Sequence, residues 1–64
     1  MKEQLLNGEI IELTDSNSEN ELIVLYSNRL QKFGLELNGS IIHTSKTFSS
    51  IKKKIEKILY NLNN

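Results

Sequence analysis

From Phe48 onward the apolar residues fall at intervals of three and four: Phe48, Ile51, Ile55, Ile58, Leu59 and Leu62. A helix of 3.6 residues per turn gathers all six on one stripe, so the spacing predicts an amphipathic helix beginning near Thr47. Ser45, Thr47, Ser49 and Ser50 are all residue types that cap a helix N-terminus, and Asn61, Asn63 and Asn64 are natural terminators. A helix of about sixteen residues is marginal alone in water, so its stripe demands a second apolar layer.

The residues before it read as strands. Two Asn-Gly dipeptides, Asn7-Gly8 and Asn38-Gly39, lie between apolar runs, and Asn-Gly supplies the two positive-φ residues of a type I′ hairpin turn. A two-residue turn at Asn38-Gly39 pairs Leu37 with Ser40, Glu36 with Ile41, Leu35 with Ile42, Gly34 with His43 and Phe33 with Thr44. Opposite residues share a face, which puts Phe33, Leu35, Leu37 and Ile42 on the core side and Glu36, Ile41 and His43 on the other. Glu21 to Ser27 reads as a strand inside the sheet, apolar on both alternating faces as if covered from two sides. Glu9 to Thr14 forms a further strand, Asp15 to Asn20 a polar connection and Asn28 to Gln31 a turn. Lys2 to Leu6 is too short to settle and reads either as an extra edge strand or as a frayed helical turn ending at Gly8.

The expected architecture is α+β: residues 1–64 as a single small two-layer domain, a four-stranded antiparallel meander followed by one C-terminal helix on one sheet face, ββββα, with residues 63–64 as a disordered tail. One helix covers one face of such a sheet. The second face, with Ile41, His43 and half of Ile10, Ile11, Ile23 and Leu25, is more apolar than a solvated face needs. A homodimer or another protein is expected there, unless the N-terminal segment folds over it.

Charge is balanced at eight of each sign, but the balance hides a division. Residues 1–28 set Lys2 against six acids, whereas residues 29–64 set Arg29 and six lysines against Glu36 and Glu56, giving −5 and +5. On a helical wheel centred on Ile51, Lys46, Lys53 and Lys57 fall at about 200–240° and Tyr60 near 180°, opposite the apolar stripe. Lysines beside an aromatic suit phosphates and a stacked base, or an acidic protein surface; they also suit a solvated helix face. Lys52 and Lys54 should flank the stripe and snorkel along it. Arg29, in a turn with Lys32, has the fork geometry for a phosphate or carboxylate.

Several chemistries find no residues to carry them. The chain has no cysteine, so disulfide, thiolate and iron–sulfur sites are closed. His43 is the only histidine and is matched by neither a metal-ligand spacing nor a serine–acid triad. Gly8, Gly34 and Gly39 are too far apart for a phosphate loop. No catalytic residue, metal or cofactor is expected, and neither a signal peptide nor a membrane span is legible, which makes the cytoplasm the expected location. Alanine and proline are absent and arginine occurs once, a depletion of GC-rich codons that points to an AT-rich genome such as a low-GC bacterium, its phage or its plasmid.

The stretch Gly39-Ser40-Ile41-Ile42-His43-Thr44-Ser45-Lys46-Thr47-Phe48-Ser49-Ser50, leading into a helix, loosely resembles the strand-to-helix junction of AP2-like and integrase arm-type DNA-binding domains. That resemblance implies a sheet that reads DNA with a helix packed behind it. The residues themselves favour a small non-enzymatic interaction protein, an inhibitor or regulator of phage or plasmid type, contacting a protein through Lys53, Lys57, Tyr60, Ile41 and His43. The alternative is a nucleic-acid-binding module in which Arg29, Lys32, Lys46, Lys53 and Lys57 meet phosphates.

Overall fold

The computed structural model describes residues 1–62; the expected tail at 63–64 lies outside the described residues. Element order is α1 (Lys2–Leu6), β1 (Ile11–Glu12), β2 (Leu22–Ser27), β3 (Lys32–Leu37), β4 (Ser40–Ser45) and α2 (Phe48–Leu62). The four strands form one antiparallel sheet in the order β1-β2-β3-β4. This is the α+β meander with a C-terminal helix that the hydrophobic periods predict.

The helical stripe meets the sheet as its spacing requires. Leu22, Val24, Phe33 and Leu35 from the sheet are buried with Ile51 and Ile55 of α2, and Phe48, Ile58 and Leu59 pack around them. Tyr26, Phe33 and Phe48 form a chain of tilted rings with centroids 4.8 and 5.6 Å apart, tying β2 and β3 to the first turn of α2. Thr47 is the cap: its Oγ1 accepts from the Ser50 N–H at 3.3 Å, and the Ser45 hydroxyl accepts from the Thr47 N–H at 3.3 Å. Lys46 therefore lies before the helix rather than on its outer face.

Both Asn-Gly dipeptides bend the chain, in different ways. At Asn38 and Gly39 φ is 53° and 88°, the two left-handed residues of a type I′ turn. The Asn38 side chain also accepts from the Glu21 N–H at 2.8 Å and donates to the Asn20 side chain, fastening the turn to the start of β2. At the first dipeptide only Gly8 is left-handed, with φ 94°, while Asn7 has φ −84°. The Gly8 N–H donates to the Leu5 carbonyl and the Glu9 N–H to the Gln4 carbonyl, both at 3.0 Å, which is a Schellman helix stop. Lys2 to Leu6 is thus helical, and no hairpin forms at Asn7-Gly8.

α1 places Leu5, fully buried, into the same core as α2. It therefore packs on the helix side and does not fold over the second sheet face. The expected covering of β2 from both sides is corrected accordingly: Leu22 and Val24 are buried, whereas Ile23 and Leu25 are only half-buried. The strand expected over Glu9–Thr14 is also shorter, Ile11–Glu12. Beyond it the Leu13 N–H still donates to the Leu22 carbonyl at 2.8 Å, but the Leu22 N–H turns to Thr14 Oγ1 instead of a backbone partner.

The β3–β4 register departs from the simple hairpin after two pairs. Leu37 pairs with Ser40 and Glu36 with Ile41 as expected, then an irregularity shifts the ladder so that Leu35 pairs with His43, Gly34 with Thr44 and Phe33 with Ser45. One extra residue inserted in a strand transfers every later side chain to the opposite face. His43 consequently shares the helix-side face with Leu35 rather than the outer face with Ile41. Ile42, expected in the core, is 42% exposed.

Candidate interaction surfaces

The helix-free face of the sheet is read directly from the ladder. Glu12, Ile23, Glu36 and Ile41 form one row across all four strands. Leu25, Gly34 and Thr44 form the next, and Ser27 pairs with Lys32 in the row beyond. A Cβ on Gly34 would sit 3.8 Å from Leu25 Cδ1, so the bare glycine is where the leucine side chain lies against its neighbouring strand. Ile41 is 65% exposed, and Ile10, just before β1, is 67% exposed.

A second feature lies between β4 and α2. His43 from the strand and Ser49, Ser50, Lys53, Lys54 and Lys57 from the helix line an open groove of about 370 Å³, with no acidic side chain in its lining. Lys53 and Lys57, singled out from the helical wheel, are exposed here; Lys54 is half-buried at the groove wall. His43 joins them because of the bulge. That residue, with Ser49, Ser50 and Lys54, could not be assigned to one site from sequence spacing alone, since the uniform register turns His43 away from the helix.

The remaining predicted residues are elsewhere. Lys46 follows the Phe33–Ser45 pair and so sits at the same end of the sheet as Lys32 and the exposed Arg29 turn. Tyr60, 69% exposed, stands nearly one turn beyond Lys57. Ile41 is on the outer face of the sheet, separated from the groove by the sheet itself.

The third feature is a cavity of about 830 Å³ between α1 and α2, floored by Leu13, Phe48, Ile55 and Leu59 and rimmed by charges of both signs, among them Lys2, Glu3, Lys52 and Glu56. Recognising it requires α1 to be helical and docked. The two helical lysines expected to flank the stripe do so on opposite sides, Lys54 towards the β4 groove and Lys52 towards this cavity.

Among the described residues no group of three or more His, Cys, Asp or Glu could hold a metal ion, and no helix is long and apolar enough to cross a membrane. Comparison of the chain with protein-family models, with curated proteins and with solved structures finds no match. The likeness of Gly39–Ser50 to DNA-reading sheets therefore has no family model behind it. Glu12, Glu36, Ile23 and Ile41 also occupy the face that would have to present basic and aromatic side chains.

Proposed function

We propose that the protein is a small non-enzymatic interaction module, of the inhibitor or regulator kind carried by phages and plasmids of AT-rich hosts, working in the cytoplasm through the helix-free face of its sheet. The observation that carries this reading is the uncovered face itself: Ile23, Leu25 and Ile41 lie on it, Ile10 borders it, and both helices pack on the other side. A second copy of the chain fits it. A two-fold axis lying across the strands through the Leu25–Gly34–Thr44 row reverses strand direction, stacking that row on its own symmetry mate. It also brings Lys32 over Glu36 of the other copy, twice per dimer. The acid and the base that frame this row on β3 are thus complementary to themselves.

Light scattering tests this reading. The wild-type chain is expected to show dimer mass at about 100 μM and a concentration-dependent fall towards monomer. Ile41→Lys, a change at a solvent-exposed position, is expected to give monomer at every concentration with stability altered by no more than about 0.5 kcal/mol. A wild-type monomer at all concentrations contradicts the self-association.

A further inference from the structure

We propose that the groove between β4 and α2 binds the phosphate backbone of a nucleic-acid strand, independently of the sheet face on the other side of the domain. Three ammonium groups, Lys53, Lys54 and Lys57, line it with the His43 ring and the hydroxyls of Ser49 and Ser50, so every side chain in the lining carries a hydrogen-bond donor.

No acidic side chain lines the groove; the nearest on α2, Glu56, stands three residues from Lys53 on the cavity side. The only acids in residues 29–64 are Glu36 and Glu56. Glu36 lies in the outer row between Ile23 and Ile41, and Glu56 lines the cavity on the other flank of α2. No acidic residue in the first turn of α2 opposes its positive pole, which lies at the Ser49–Ser50 end of the groove. The far end of the helix, at Leu59 and Leu62, borders Asp15 and Ser18, so the acidic connection stands at the negative pole of α2 and the groove nearer the positive one.

The shape selects a chain of phosphates over a single one. From Ser50 to Lys57 the helix advances about 10 Å, and the groove is an open trough along that length. Past its N-terminal end the positive charge continues with Lys46, in the connection between β4 and α2. No Phe, Tyr or Trp lines the trough, so the lysine contacts are to the phosphate backbone and carry no base sequence.

Anisotropy of a labelled thymidine oligonucleotide and of a labelled duplex, titrated with the full chain, tests the proposal. Three neutralised phosphates predict a slope of log affinity against log salt of about −2 for the single strand and about −2.7 for the duplex, hence a loss of about 20- to 40-fold between about 50 and 200 mM salt. The decisive comparison is between neighbours on α2. Lys53→Glu is expected to weaken binding at least about tenfold and to flatten the slope by close to one, while Lys52→Glu, the same charge change on the opposite flank of the helix, leaves both nearly unchanged. Both positions are exposed, and unchanged far-UV dichroism certifies the fold of each variant. Absence of binding at the lower salt overturns the proposal, as do equal losses for the two variants, which mark a response to net charge alone. Equal affinity for poly-glutamate of matching length overturns it in favour of an acidic protein partner. None of these outcomes depends on whether the sheet face self-associates.

Discussion

Ile51→Asp is expected to abolish the cooperative thermal transition. Ile51 is fully buried in α2 against the sheet. Its loss removes about 1.5–3 kcal/mol of apolar burial. An aspartate in the same place has no buried partner, since among the described residues no buried one is polar, and it costs several kcal/mol more to desolvate or protonate. Total stability scales at about 0.05–0.15 kcal/mol per residue, so a chain this short has only about 3–10 kcal/mol to lose. Circular dichroism at 25 °C should report a largely unfolded chain, while Ile51→Val, which removes one methylene, should cost about 0.5–1.5 kcal/mol and keep the transition. A melt of Ile51→Asp within a few degrees of wild type would contradict the burial of the stripe.

Leu5→Ala is the second large effect, expected at about 2–4 kcal/mol. Five residues cannot sustain a helix on their own; α1 exists because Leu5 enters the core and because Gly8 and Glu9 close its C-terminus. Removing the side chain leaves a cavity and detaches the element, which at about 4–8 °C per kcal/mol lowers the melting temperature by roughly 10–30 °C. Leu6→Ala, at a position 44% exposed, serves as the neighbour control and should change stability by no more than about 0.5 kcal/mol. Equal melting temperatures for the two variants would mean that α1 is not docked.

These two sites differ in how far they could be read from the chain. Ile51 belongs to a six-residue period that no other structure accommodates, and the helix, the meander order and the Asn38-Gly39 turn all follow from patterns of that kind. Leu5 does not, because five residues carry no period. The same Asn-Gly dipeptide serves as a hairpin turn at 38–39 and as a helix stop at 7–8. Only the backbone angle of the asparagine separates the uses, and that is set by what the preceding residues pack against. The bulge near Ile41 and Ile42 was likewise invisible: alternation has no term for an inserted residue, and one insertion was enough to send His43 to the helix side. Lys53 and Lys57 were legible as a pair from the helical wheel, but the groove they line required that insertion, so its composition emerged only with the fold. The uncovered sheet face was anticipated from the count of layers, one helix against four strands, and the docking of α1 beside α2 removed the alternative that the N-terminus covers it.

The central claim is that the helix-free sheet face is the surface through which this protein associates. Amide correlation spectra recorded over a dilution from about 500 to 10 μM, a range that brackets a mid-micromolar dimer, test it residue by residue. The account predicts concentration-dependent shifts grouped at Ile23, Leu25, Gly34, Ile41 and Thr44, absent from the same series on Ile41→Lys. Spectra that superimpose at every concentration, or shifts confined to the α1–α2 cavity, would contradict it.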